Sequence, residues 1–97
     1  MDKYDIGEHV ICWRYVKNDS GTLVDPATSM NIAINRLSPN AETNIVSSVA
    51  MTKTGGVTGT YHYDFASASK EPGIYEAVET ATDGARITIF KEQFKLE

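Results

Sequence analysis

His9 and His62 are the only imidazoles in the sequence, and Asp64 follows His62 at the spacing that puts both side chains on one face of a β-strand. Such a pair could begin a metal site or an acid–base couple. A metal site needs further converging ligands, and no third one is identifiable, so these residues are expected to be exposed strand positions that hold no metal. The serines and threonines lie in no nucleophile-elbow pattern, and no paired carboxylates bracket a recognisable cleft. Asn18-Asp19-Ser20-Gly21 offers loop oxygens for calcium, and Asn18-Asp19-Ser20 also matches the glycosylation acceptor pattern. The loop lacks the further spaced carboxylates that calcium wants, while these residue types form turns through local side-chain hydrogen bonds, so a solvated turn is expected. Gly55-Gly56-Val57-Thr58-Gly59 is glycine-dense but joins two apparent strands rather than a strand to a helix. It reads as a hairpin turn without the helix terminus that would bind phosphate. No enzyme and no cofactor is expected.

Cys12 is the single cysteine, which excludes an intrachain disulfide and a cysteine metal site. Set between Ile11 and Trp13 in an apolar run, it reads as a small buried hydrophobe. If Val10 and Cys12 face the core, then Ile11, Trp13 and Tyr15 share the opposite face as an apolar stripe with no evident reason to lie in solvent. Both faces of this run are apolar enough to bury, so the reverse register, with Trp13 inward, stays open. We adopt the outward register, which makes Ile11, Trp13 and Tyr15 the candidate contact for a ligand or partner.

The elements that position these residues follow a period of two. His9 to Val16 is rich in β-branched and aromatic residues and ends in the polar cluster Lys17 to Gly21. Asp25-Pro26 makes a second break, after which Met30, Ile32, Ile34 and Leu37 nearly alternate with polar or small residues until Ser38-Pro39-Asn40. A shorter strand is expected over Ile45 to Thr52. Beyond the glycine turn, Val57, Tyr61, Tyr63 and Phe65 are placed on one face with His62 and Asp64 on the other. Pro72-Gly73 restarts the chain into Ile74 to Thr82, and Asp83-Gly84 is a hairpin signal before Ile87, Ile89 and Phe90. Six or seven short strands without an amphipathic helix predict an all-β sandwich or barrel.

The chain of 97 residues matches one domain. That domain is expected over residues 1–95, because Leu96-Glu97 matches what a cloning junction leaves ahead of a purification tag. Thirteen acids against nine bases give a mildly acidic surface, which argues against nucleic acid as a partner. The longest apolar runs fall far short of the roughly twenty residues of a membrane span. The opening Met1-Asp2-Lys3-Tyr4-Asp5 lacks the apolar stretch of a secretory signal, so export would be directed by residues beyond these.

Glu71-Pro72-Gly73-Ile74-Tyr75-Glu76-Ala77 resembles the acidic-x-Gly-x-Tyr-x-Cys segment of immunoglobulin-like domains. Tyr75 would then be the corner tyrosine whose hydroxyl ties back to nearby backbone, and Ala77 stands where antibody domains place their second cysteine. Gly7-x-x-Val10-x-Cys12 resembles the strand B half of the pattern. The chain is similar, more closely, to prokaryotic and phage immunoglobulin-like modules through Tyr4-Asp5-Ile6-Gly7-Glu8, Gly21 to Pro26, Gly59 to Phe65 and Pro72-Gly73-Ile74-Tyr75. The resemblance implies an antiparallel immunoglobulin-like sandwich acting as a non-catalytic structural, assembly or adhesion module of a larger protein at a cell surface or in a virion. Its expected partners are neighbouring domains or subunits. A carbohydrate-binding sandwich that stacks sugars on Trp13 and Tyr15 is the alternative, with polysaccharide as partner.

The same resemblance implies a register. If strands B and F face one another across the core and Cys12 opposes Ala77, two residues further along each strand Arg14 opposes Glu79. An ion pair between the sheets is expected there, because either charge alone near the core would be unpaired. The competing arrangement is a bulge or sandwich edge that lets both side chains reach water.

Overall fold

The computed structural model describes all residues, Met1–Glu97. It contains eight strands and no helix: β1 (Asp2–Tyr4), β2 (His9–Tyr15), β3 (Ser29–Ser38), β4 (Glu42–Ala50), β5 (Thr52–Lys53), β6 (Thr60–Ala66), β7 (Gly73–Asp83) and β8 (Arg86–Leu96). They form a five-stranded sheet in the order β1-β8-β7-β3-β4 and a three-stranded sheet in the order β2-β6-β5. The fold is thus all-β and sandwich-like. Every pairing is antiparallel except that of β1 with β8, which is parallel.

Alternation along each strand builds the core. In β2, Val10 and Cys12 are buried while Ile11, Trp13 and Tyr15 are exposed. Opposite them β7 turns Tyr75, Ala77, Glu79 and Ala81 inward, and β3 turns Met30, Ile32, Ile34 and Arg36 inward. Phe65 of β6, Tyr75 and Phe94 of β8 form an aromatic group, with Tyr75 stacked on Phe94 at a centroid distance of 5.6 Å.

The turns use the expected residue types. Asn18 Oδ1 accepts hydrogen bonds from the amides of Ser20 and Thr22, at 3.0 Å each, so the Asn18 loop is closed by its own side chain. Asp83 pairs with Arg86 across the two-residue turn Gly84-Ala85. The glycine-dense segment joins β5 to β6, with Val57 N–H donating to the Thr54 carbonyl at 2.7 Å.

Several expectations are corrected. Val57 lies in that turn and is half exposed, so it does not extend the inward row of β6. The strand expected over Ile45 to Thr52 is two strands in different sheets. Met51 is buried between them, and the chain crosses from one sheet to the other there. In β3 the inward position after Ile34 goes to Arg36, whereas Leu37 is exposed, because strict alternation outranks residue polarity once a buried charge has partners. Leu96 is not outside the domain. Its side chain is fully buried, and it pairs with Gly73 and Tyr4.

Candidate functional site

The two faces of β2 carry most of the residues singled out by the sequence, and β7 carries Tyr75 and Glu79. The outer face presents Ile11, Trp13 and Tyr15 with 45%, 44% and 58% of their surface exposed. Their neighbours on β6 are set by the register: Ile11 lies beside Asp64, Trp13 beside His62 and Tyr15 beside Thr60. The Trp13 and His62 rings lie 5.2 Å apart at 41°, and His62 Nδ1 is 2.8 Å from Thr54 Oγ1. His62 is thereby held against Trp13 from one side and by the β5–β6 turn from the other. Asp64 is exposed, and no group of three His, Cys, Asp or Glu side chains is arranged to hold a metal ion.

The inner face of β2 carries Cys12 and Arg14. Cys12 is buried, and burial, helped by the charges of Glu92 and Glu79, pushes its thiol up to about 12. Arg14 crosses between the sheets and donates from Nη2 to Glu79 Oε1 at 3.0 Å. Glu92 Oε2 stands 3.7 Å from the same nitrogen, and the guanidinium carbon sits 4.7 Å above the Phe90 ring. Glu79 has no solvent exposure, and burial raises its carboxyl above the ordinary range against the lowering influence of Arg14. Burial also raises Glu92. Glu79 Oε2 and Arg14 Nε are buried without a partner. The cluster therefore carries the marks of an ion pair held at a cost, and its evident task is to fix one sheet against the other.

Beside this cluster, a cavity of about 210 Å³ opens at the flank of the sandwich, lined by Tyr4, Val10, Cys12, Trp13, Glu92 and Phe94 among others. It holds no set of groups arranged around a reacting atom. Its one nucleophile is a thiol that burial keeps protonated.

Tyr75 lies fully buried in β7, and its hydroxyl donates to the Glu71 carbonyl at 2.6 Å. Arg36, which the sequence reading missed, completes that corner. Its Nη1 donates to Glu71 Oε2 at 2.5 Å, Nη2 to Glu42 Oε2 at 3.0 Å and Nε to the Asn40 carbonyl at 3.0 Å. The signal for it was parity, since Met30, Ile32, Ile34 and Arg36 fall on one side of an uninterrupted strand. Asp25 is a second missed anchor. It accepts from Lys53 Nζ, the Gly59 amide and the Tyr61 hydroxyl, and these bonds, led by that of Lys53, lower its carboxyl.

No family model, no curated protein and no solved structure matches this chain.

Proposed function

We propose that the chain is an immunoglobulin-like module with no catalytic task, which serves structural assembly or adhesion within a larger cell-surface or phage structural protein. The observation that carries this reading is the stripe of Ile11, Trp13 and Tyr15. It is half exposed on the outer face of a regular strand whose inner face is locked into the core. An apolar stripe kept in water on a rigid sheet is costly to maintain unless a neighbour covers it. The strand order supports the immunoglobulin-like assignment. With β2, β6 and β5 in the roles of strands B, E and D, and β8, β7, β3 and β4 in those of G, F, C and C′, the neighbours within each sheet follow the order of that fold, while β1, in the place of strand A, pairs with β8 of the larger sheet instead of with β2. The Tyr75 hydroxyl bonded to the Glu71 carbonyl four residues upstream supports it further.

The test is site-specific photo-crosslinking in the native host, with a photoreactive amino acid at Trp13 or, as control, at exposed Lys91 on the other sheet. The expected result is a protein adduct from the Trp13 position and none from the Lys91 position. Equal yields from both positions, or none from either, overturn the reading. Titration of Trp13 fluorescence with a polysaccharide panel separates the alternative, because a sugar stacked on the indole shifts its emission. A saturable shift with no protein adduct would replace assembly with carbohydrate binding.

A further inference from the structure

Sandwiches protect the open edges of their sheets, and this molecule protects them unequally. At one side of the large sheet β4 has two register shifts against β3 and a left-handed residue at Asn44, with φ 58°, so its edge is kinked. At the other side β1 covers the end of β8, and the uncovered part of β8, although it exposes Ile87 and Ile89, carries the charges of Arg86 and Lys91 on that edge. In the small sheet β5 is only two residues long. The remaining edge, β2, runs seven residues in unbroken register with β6 and contains neither proline nor glycine.

The direction of its free hydrogen-bonding groups follows from its ends. The Glu8 carbonyl accepts from Ser67 N–H and Val16 N–H donates to the Gly59 carbonyl, so even-numbered residues direct their backbone groups toward β6. Peptide groups alternate along a strand, and His9, Ile11, Trp13 and Tyr15 therefore direct their N–H and C=O groups out of the sheet. The side chains of these same four residues lie on the exposed outer face. None is an acid, a lysine or an arginine, and the one charged side chain of the strand, Arg14, is turned inward onto Glu79.

We propose that β2 pairs with β2 of a second copy of this chain, antiparallel about a two-fold axis at Cys12, to make one continuous six-stranded sheet. This rests on reading Ile11, Trp13 and Tyr15 as a contact face and names what covers it. A second copy fits for two reasons. In this register Ile11 of one copy meets Trp13 of the other, and His9 meets Tyr15. These are aromatic–aliphatic and aromatic–aromatic neighbours of the kind that stabilise paired strands. Two chains that each carry a net charge of −4 also meet here on an edge without formal charge, so no like charges are brought opposite one another. A contact of one strand and one side-chain row falls below the roughly 800 Å² per partner of a standard interface, so the dimer is weak and reversible, with Kd on the order of 10–1,000 μM.

The experiment combines sedimentation across that concentration range with amide hydrogen exchange read by NMR. The expected result is concentration-dependent dimerisation, with exchange at the Ile11, Trp13 and Tyr15 amides slowing as dimer forms while the Cys12 amide is protected throughout. Ile11→Pro deletes an outward N–H without touching the ladder to β6, and it should stay folded and monomeric. If that variant does not fold, Ile11→Lys and Trp13→Glu chains decide, because each alone should be monomeric while their mixture associates through the juxtaposed opposite charges. A monomer at every concentration overturns the proposal, as does a dimer unaffected by these substitutions or protected at other amides. The crosslinking mass separates this failure from failure of the broader reading. A Trp13 adduct only to chains of other mass ends self-pairing and keeps the contact face, whereas no adduct ends both.

Discussion

At the residue scale the molecule turns on three inward polar side chains. Tyr75 donates to the Glu71 carbonyl from a fully buried position, so Tyr75→Phe keeps the packing on Phe94 and loses one satisfied bond. It is expected to cost about 1 kcal/mol in urea unfolding, and a loss near zero would mean the hydroxyl finds water instead. Arg14 and Glu79 form the charged counterpart. Glu79 is raised first by burial and held down by Arg14, so the folded protein binds its proton more tightly than the unfolded chain does. A raised folded value gives stability that is complete below the unfolded value of about 4.3 and is lost as pH rises through the folded one. Removing Arg14 deepens that loss, because the ionised carboxylate then has no partner. Arg14→Ala is thus expected to be close to wild type near pH 4 and worse by about 2–3 kcal/mol at pH 7, with part of this recovered in the double variant with Glu79→Ala. A deficit independent of pH, or strictly additive losses, would show that the pair carries no coupling. Cys12 supplies the simplest check of which face of β2 is inward. Its thiol, pushed up to about 12 by burial, should resist a soluble thiol reagent in the native state and react fully in urea.

At the scale of elements, strands were legible from residue type, and their facing only where apolar and polar residues alternate. Strand β2 was readable as a strand from its β-branched and aromatic run, but both its faces are apolar, so composition left its inward face open; in the structure Arg14 reaches Glu79, as the strand B and F resemblance implies. The division of β4 from β5 was not readable, since Ala50-Met51-Thr52 carries no turn residue and the switch of sheets is made by burying Met51. Arg36 was hidden by composition, because an arginine in an apolar row looks like a solvent-facing residue until the turn into β4 brings it the Asn40 carbonyl and Glu42, and the segment before β7 brings it Glu71. Gly73 shows what the chain needs where β7 begins. It has φ 151°, and an added Cβ would fall on the Ser38 carbonyl, at the point where β3 ends against β7. Gly84, in the β7–β8 turn, also has positive φ, at 62°, but open space around it. Gly84→Ala is accordingly expected to cost about 1 kcal/mol of backbone strain. Gly73→Ala should cost more than about 3 kcal/mol, because the main chain of two strands must move apart. Equal effects in thermal unfolding would refute the steric distinction.

At the scale of the whole molecule, the two sheets are held together by a core that closes at the seam between β1 and β8. Leu96 is central to that closure. It pairs with Gly73 on one side and Tyr4 on the other, its side chain is fully buried, and the bonds from Glu97 N–H to the Tyr4 carbonyl and from Ile6 N–H to the Glu97 carbonyl continue the parallel ladder past it. Tyr4 in turn packs edge-on against Phe94 at 6.0 Å, next to the aromatic group of Phe65 and Tyr75. The seam is the pairing most distant in sequence, so its loop-closure entropy must be offset by the apolar surface it covers. Leu96→Ala removes that surface and leaves a void beneath β1, with an expected loss of about 2–5 kcal/mol. Tyr4, which pairs with Leu96, also lines the flank cavity beside Cys12, so the same substitution is expected to speed thiol labelling of Cys12 under native conditions through local opening of β1. Glu97→Ala, which keeps the backbone bonds, should do neither. If Leu96→Ala lost stability without exposing Cys12, the seam would open only with global unfolding. A loss below about 1 kcal/mol would place the closure of the sandwich elsewhere.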